Sequence, residues 1–167
     1  MLSPERAAVG FARQFKSKAC SVSLEAASKE ATLAELAGLL IASGQVPARL
    51  KAALETAFLE RERIASTGLG AAVAIPHVKL AGLEKTALAF AVHKGGVEWA
   101  SVDGEPAHLF FVVVRPAAAS ELHDPRRHLE LMQWIATLAR AKDFRRFALA
   151  AQTKAELLEL LEEAAQA

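Results

Sequence analysis

The sequence has a single cysteine, no tyrosine and no excess of charge of either sign among its 167 residues. One cysteine cannot form a disulfide within the chain, so a cross-linked scaffold is excluded and a reducing compartment, the cytoplasm, is expected. Lys and Arg total 20 against 19 Asp and Glu, whereas a dedicated nucleic-acid binder usually shows a large basic excess. The composition therefore argues against a nucleic-acid partner.

Long hydrophobic runs are also missing. No apolar stretch approaches the roughly 18 residues that a membrane-spanning helix needs, so membrane insertion is not expected. The N-terminal segment carries Glu5 and Arg6 and lacks an unbroken apolar stretch, which is unlike a secretory signal. Because 53% of the residues are hydrophobic, the chain can build a full core, and we expect one domain over residues 1–167.

Helical patterns fill much of the first and last thirds of the chain. Each pattern begins at a residue that favours a helix N-terminus: Ser28, Pro47, Asp124 with Pro125, and Thr153. Gly44 is the expected stop of the first of these helices, because glycine accepts the left-handed conformation that often follows a helix. The stretch before about Leu24 is mixed, and no element is predicted there.

The middle third shows strand patterns. Short apolar runs cover residues 72–75, 86–92 and 108–115, and the last, HLFFVVVR, is aromatic, β-branched and almost fully apolar. A strand of that kind indicates a sheet that is covered on both faces. Residues 66–70 contain two glycines and two hydroxyl side chains and are predicted as a loop. The order of elements predicts an α/β sheet with helices on both sides.

Histidines are the main candidates for chemistry, because the sequence has no CxxC, HExxH, Walker or GxSxG motif. His77 follows Pro76 at the end of a predicted strand, and strand ends are where sites lie in sheets of this kind. Proline restricts the local backbone and would help to hold the imidazole in one position. The same pattern also fits a histidine at a strand end that has no role.

His128 is the second candidate and falls in the first turn of the third predicted helix. Met132 and Ile135 lie one and two turns further along the same side, so the ring is expected to point inward or toward a cleft. A hydrogen bond to a backbone carbonyl is the alternative. Arg126 and Arg127 beside it fit an anion such as phosphate at a helix N-terminus, or two solvated side chains.

Residues 61–77 carry a more specific pattern. They read RERIASTGLG and then, after three residues, AIPH, which resembles the signature of the fructose/mannitol-type enzyme IIA domain of the phosphoenolpyruvate-dependent phosphotransferase system. That family includes the nitrogen-regulatory IIA proteins. The 16 positions from Arg61 to His77 need no insertion, and the similarity covers most of the chain from about residue 22.

The resemblance implies a fold and a set of roles. The fold would be a central mixed β-sheet flanked by helices on both faces, a three-layer α/β/α arrangement. His77 matches the phosphorylated histidine, His128 the second active-site histidine, and Arg61 the arginine near the phosphate, while Thr67 and Glu62 match further positions of the signature. Phosphoryl transfer needs mainly positioning and charge neutralisation, so no metal or other cofactor is expected.

The resemblance leaves the biological output open. The protein would receive its phosphoryl group from an HPr-like phosphocarrier and either pass it to a IIB domain of a sugar transporter or use it as a signal to a regulatory target protein. A partner-binding domain without phosphotransfer is the third possibility. No IIB cysteine loop and no membrane segment follow, so a lone IIA unit is expected, which favours the regulatory branch.

For Arg61 there is an alternative to a place near the phosphate. It can form a surface ion pair with Glu62, which would contribute little to stability.

Overall fold

The computed structural model describes residues 2–167. The helices are α1 (Pro4–Gln14), α2 (Lys29–Ala42), α3 (Lys51–Ile64), α4 (Pro125–Arg140), α5 (Lys142–Ala150) and α6 (Lys154–Gln166). The strands are β1 (Cys20–Ser21), β2 (Gly68–Gly70), β3 (Val73–Ala74), β4 (His77–Leu80), β5 (Ala87–Val97) and β6 (Ala107–Pro116). Short 3₁₀ turns, Ser17–Ala19 and Ala48–Leu50, precede β1 and α3.

The strands form one mixed sheet. β5 and β6 pair antiparallel at its centre, and β1 lies parallel to β5 on the outer side. β3 and β4 lie end to end along the other side of β6, both parallel to it, and β2 pairs antiparallel with β3. The expectation of a central mixed sheet is therefore confirmed.

Helices cover both faces of this sheet. Alternate residues of β6 point to opposite faces: Leu109, Phe111 and Val113 join a core formed with α1, α4, α5 and α6, and Phe110, Val112 and Val114 join a core formed with α2 and α3. All six side chains are fully buried. Because both faces are dry, the strand is apolar throughout, and the three-layer α/β prediction is confirmed.

Three of the four predicted helix starts, at Ser28, Asp124 and Thr153, are confirmed. At Pro47 the prediction is early, because a 3₁₀ turn comes first and α3 begins at Lys51. The Ser28 hydroxyl accepts from the Ala31 amide at 3.1 Å, and an Asp124 carboxylate oxygen accepts from the Arg126 amide at 2.9 Å. Each cap satisfies one of the amides that a helix N-terminus leaves without a partner. Gly44 has a φ of +76°, the left-handed conformation that ends α2.

Two helices and three strands depart from the prediction, and two of these strands, β1 and β4, lie where no strand is predicted. α1 occupies the stretch for which no element was predicted, although Ser3 and Pro4 give it an ordinary cap and first residue. α5 follows α4 after a single residue and was not separated from its neighbours. Residues 68–70, predicted as a loop, form a strand because they pair with β3, a contact that glycine-rich composition does not reveal.

Gly68 itself shows why this strand contains glycine. A Cβ added there would lie 2.0 Å from the Ser101 hydroxyl, so a side chain has no room. The turn to β3 is left-handed at Ala71 and Ala72, with φ of 53° and 68°, and the Asp103 carboxylate accepts from the Ala71 amide at 2.8 Å. That hydrogen bond and a second one from the Glu105 amide lower the pKa of Asp103.

Among residues 2–167, no helix has the length and apolar character needed to cross a bilayer.

Candidate functional site

His77 lies where a strand restarts. β3 ends at Ala74, two residues interrupt the pairing, and β4 begins at His77, which pairs with Val113 of β6. The interruption is bonded on both sides: the Val113 amide donates to the Pro76 carbonyl and the Ile75 amide donates to the Thr67 carbonyl, each at 3.0 Å. The backbone at His77 is therefore fixed by the sheet and by the preceding loop.

The imidazole of His77 is oriented by its own backbone. Its Nδ1 lies 2.7 Å from the Ile75 carbonyl oxygen. A carbonyl oxygen accepts hydrogen bonds and cannot donate, so Nδ1 carries the proton and Nε2 keeps its lone pair. The ring is partly buried, and its nucleophilic nitrogen is Nε2.

His77 lines a cleft of about 390 Å³ between α3, β4, β6 and the start of α4. Two other predicted site residues line the same cleft, His128 and Arg61. Arg61 and His128 lie 67 positions apart in the sequence (128 − 61), yet the fold brings all three residues together. The remaining lining residues are Ala57, Glu60, Ile64, Val78, Lys79, Val113 and Arg115.

His128 is partly buried near the start of α4, where its amide donates to the Asp124 carbonyl at 3.0 Å. Its ring faces the cleft, as predicted, but its Nδ1 is buried and has no hydrogen-bond partner within residues 2–167. Burial, followed by the positive charge of Arg115, lowers the pKa of His128 to about 4, with smaller contributions from His123 and His77. His128 is therefore a neutral imidazole at physiological pH.

Three cationic side chains surround the cleft. Arg61 lies in the last turn of α3 and donates to the Ala65 carbonyl at 2.8 Å. Lys79 and Arg115 face each other across the β4–β6 pair. Neither Lys79 nor Arg115 is predicted from the sequence, although each follows a cleft-lining strand residue by two positions, and side chains two apart share a face. The alternation of strand side chains with a period of two was therefore the sequence signal that could have identified Lys79 and Arg115.

Glu62 and Thr67 are absent from the lining of this cleft. One Glu62 oxygen accepts from the Thr67 amide at 3.2 Å and from Lys29 Nζ at 3.0 Å, and the other accepts from the Thr67 hydroxyl. Trp99 Nε1 donates to the same hydroxyl at 3.0 Å. We name Lys29, Glu62, Thr67 and Trp99 the Thr67 cluster. The Thr67 cluster fixes the loop whose Thr67 carbonyl accepts from the Ile75 amide. Among residues 2–167, Glu62 forms its ion pair with Lys29, and the alternative of an Arg61–Glu62 ion pair is not observed.

The arginines at the start of α4 do not line the cleft. Arg126 is exposed, and the Arg127 guanidinium lies over the Phe11 ring at 4.9 Å from its centroid. His123 is closer to the site, with its ring centroid 5.7 Å from that of His128. The anion-binding alternative for Arg126 and Arg127 therefore does not involve the His77 cleft.

The two other histidines bond to backbone carbonyls away from the cleft. His93 Nε2 lies 2.8 Å from the Ala26 oxygen, and His108 Nδ1 lies 3.0 Å from the His93 oxygen. Within residues 2–167, no three His, Cys, Asp or Glu side chains cluster in a way that could hold a metal ion. The buried thiol of Cys20 has its pKa raised to about 11 by desolvation and lies outside the cleft.

The three-layer α/β fold is similar to that of solved enzyme IIA proteins: IIA mannitol from Escherichia coli is 22% identical, with a TM-score of 0.67, over 87% of this chain and 97% of that one. A family model described as phosphoenolpyruvate-dependent sugar phosphotransferase system, EIIA 2, matches residues 13–164. The chain belongs to this family, whose members are phosphotransferase components, and the resemblance inferred from residues 61–77 is confirmed.

Named relatives carry the comparison further. The fructose-specific EIIABC component of Bacillus subtilis is 32% identical over 140 residues, which are 84% of this chain but only 21% of that protein. The fructose-specific EIIA component of Haloferax volcanii is 34% identical over 82% of this chain and 84% of its own length. The crystal structure of the nitrogen regulatory protein IIA-Ntr from Neisseria meningitidis is 25% identical, with a TM-score of 0.74, over 90% of this chain and 97% of that one.

Proposed function

We propose that this protein is a phosphohistidine carrier that accepts a phosphoryl group on His77 Nε2 from an HPr-like phosphocarrier. It then passes the group to a IIB domain, or its phosphorylation state serves as a signal to a regulatory target protein. The observation that carries the proposal is the 2.7 Å contact between His77 Nδ1 and the Ile75 carbonyl, which leaves Nε2 unprotonated and nucleophilic.

The transfer step balances without a cofactor. The P–N bond of the donor phosphohistidine breaks as the bond from phosphorus to His77 Nε2 forms, and the donor imidazole recovers its lone pair. Arg61, Lys79 and Arg115 supply positive charge where the phosphoryl oxygens develop negative charge. Neutral His128 has one N–H to donate to an oxygen, and an adjacent phosphoryl group favours its protonated form.

The surface beside the cleft suits a protein donor and acceptor. Ile64 lines the cleft and has 82% of its surface exposed, and Leu129, on the first turns of α4, is 58% exposed. Apolar side chains around a polar reacting centre are typical of sites where one protein docks on another. The fructose-specific and nitrogen-regulatory relatives support both outputs, and a non-catalytic regulatory protein-binding domain of the same fold is the alternative.

The central experiment is phosphorylation with enzyme I, HPr and ³²P-labelled phosphoenolpyruvate. We expect acid-labile label on the wild type and none on His77→Ala. His108→Gln, which changes a histidine outside the cleft, is the matched control and should label as the wild type does. Label that persists in His77→Ala would refute the assignment, and so would a wild-type protein that stays unlabelled while HPr is phosphorylated.

Onward transfer separates His128 from His77. We expect His128→Ala to accept part of the label from HPr but to donate poorly to a IIB domain supplied as acceptor. Unchanged donation by His128→Ala would remove this histidine from the mechanism. A wild-type protein that labels fully but donates to no IIB domain would favour the regulatory output.

A further inference from the structure

A larger groove, of about 920 Å³, adjoins the His77 cleft at His128, which lines both. Its walls are the end of α1 and the turn that follows it, the turn before α3, the connection between β4 and β5, and the start of α4. These segments meet at the carboxyl end of β4 and β6, the end at which open α/β sheets usually hold their ligands. The proposed function does not use this groove.

Positive charge converges on it from four separate segments of chain. The cations are Lys16, Lys18, Arg49, Lys85 and Arg127. Within residues 2–167, no carboxylate lies within 4.0 Å of any of their charged nitrogens. The two acidic residues of the lining are Glu84 and Asp124, and a carboxylate oxygen of Asp124 already caps α4.

Such an arrangement costs electrostatic energy unless an anion relieves it. Five cations around one concave surface repel one another, and a concave wall focuses their field into the groove. The Arg127 guanidinium is held in place over the Phe11 ring, which also lines the groove, so its orientation is set before any ligand arrives. The volume lies within the range of small-molecule sites, about 300 to 1,000 Å³.

We propose that this groove is a binding site for a small organic molecule that carries two or more phosphate groups. A single phosphate contacts only two or three cations at once, whereas Lys16, Arg49, Lys85 and Arg127 come from four different segments, so more than one phosphate group is needed to engage them. The inference is independent of phosphoryl transfer to His77, because none of these four side chains lines the His77 cleft.

Calorimetric titration of the full chain with inorganic pyrophosphate and with metal-free ATP tests the proposal. We expect saturable binding of both probes with one site per chain, and binding of inorganic phosphate that is at least about tenfold weaker. Arg49→Gln/Lys85→Gln, two exposed side chains of the groove, should weaken pyrophosphate binding about tenfold. Arg140→Gln/Lys142→Gln removes the same charge from exposed positions outside the groove and should leave it unchanged.

The same titrations on His77→Ala keep this proposal separate from the proposed function, since binding should persist there. Amide chemical-shift changes on adding pyrophosphate should fall on residues 16–18, 82–86 and 127. The proposal is overturned if neither probe saturates, if the two double variants weaken binding equally, or if the shifts are confined to Arg61 and residues 77–79. That last outcome would place the anion in the His77 cleft.

Discussion

The stretch of chain from residue 61 to residue 77 contributes to two polar sites whose hydrogen bonding is opposite in character. In the Thr67 cluster, the Thr67 hydroxyl donates to Glu62 and accepts from Trp99, and the Glu62 carboxylate is further bonded by Lys29. In the His77 cleft, His128 Nδ1 is buried and has no hydrogen-bond partner among residues 2–167. The polar groups named in the Thr67 cluster bond to one another, whereas the His77 cleft contains a buried nitrogen that is free to form a hydrogen bond with a ligand.

The difference separates polar groups that bond to one another from polar groups that face an open cleft. A buried network in which every member is bonded rigidifies its surroundings, because breaking any contact leaves a desolvated group. A cleft lined by Arg61, Lys79 and Arg115 that pairs none of them with a carboxylate, among the residues described, is less stable on its own and is suited to a transient anion. Residues of the same sequence signature thus lie in different surroundings, Glu62 and Thr67 in the Thr67 cluster and Arg61 and His77 in the cleft.

After the loss of labelling expected for His77→Ala, the largest expected effect comes from Arg61. Arg61→Gln should slow phosphoryl transfer to His77 about tenfold to a hundredfold, roughly 1.4 to 2.7 kcal/mol, because a charge facing the phosphoryl oxygens is lost. Stability should change little, since the side chain is only partly buried. Initial rates of labelling from phosphorylated HPr measure the effect. Arg63→Gln, exposed on the same helix, is the control, and an equal loss there would assign the effect to surface charge instead.

A stability effect without a comparable rate effect is expected in the Thr67 cluster. Thr67→Val keeps the shape but leaves Trp99 Nε1 buried without an acceptor, which should lower the free energy of unfolding by about 1 to 2 kcal/mol. Urea denaturation measures this change. Thr137→Val removes an exposed hydroxyl from α4 and should cost less than about 0.5 kcal/mol. A Thr67→Val protein of normal stability with abolished labelling would reverse the comparison.

The neutral state of His128 predicts a pH dependence of stability. The unfolded chain takes up a proton near the ordinary histidine pKa of about 6.5, whereas the folded chain does so only near a pKa of about 4. The associated stability is present above pH 6.5, decreases as the pH falls from there to about 4, and is lost below that. Because the ring is partly solvated, we expect a contribution of about 1 kcal/mol. Urea denaturation at pH 7, 5.5 and 4.5 should show a shallower decrease for His128→Gln; parallel curves would contradict it.

The smallest effect tests the charge inside the cleft. Arg115→Gln should raise the pKa of His128 from about 4 by about 0.5, because the positive charge of Arg115 is the second cause of its depression after burial. Titration of the His128 ring by NMR measures it. Lys79→Gln removes a charge from the same cleft that is not among the causes of the depression, so it should move the pKa less. An unchanged pKa in Arg115→Gln would show that the charge of Arg115 does not contribute to the depression.

Local chemistry made much of the fold predictable. The caps at Ser28, Asp124 and Thr153 are properties of neighbouring residues, and the residue run from 108 to 115 is apolar because helices cover both its faces. The pairing of residues 68–70 with β3 depends on tertiary contacts, and its glycines hide the strand from a propensity argument. Local signals therefore identify elements better than they identify pairing.

The site was predictable to a similar extent. The grouping of Arg61, His77 and His128 in one cleft follows the resemblance of residues 61–77 to a known family. The location of Glu62 in a separate cluster could not be predicted, because adjacent residues on a helix point in different directions and only the packing decides which one meets the cleft. The contribution of Arg115 depends on the register between β4 and β6, which the sequence does not state.

Because of that register, the number of residues between Arg61 and His77 decides which face of the sheet the imidazole lies on. His77 pairs with Val113, which packs on the α4 side of the sheet, whereas its neighbour Val78 packs against the core formed with α2 and α3. Suppose that one residue is deleted from the turn at Ala71 and Ala72, and that β4 still pairs with β6 but one position out of its present register. The side chains of β4 would then exchange faces, and the imidazole would turn away from His128. A change of two residues would restore the face but move the ring by about 7 Å along the strand.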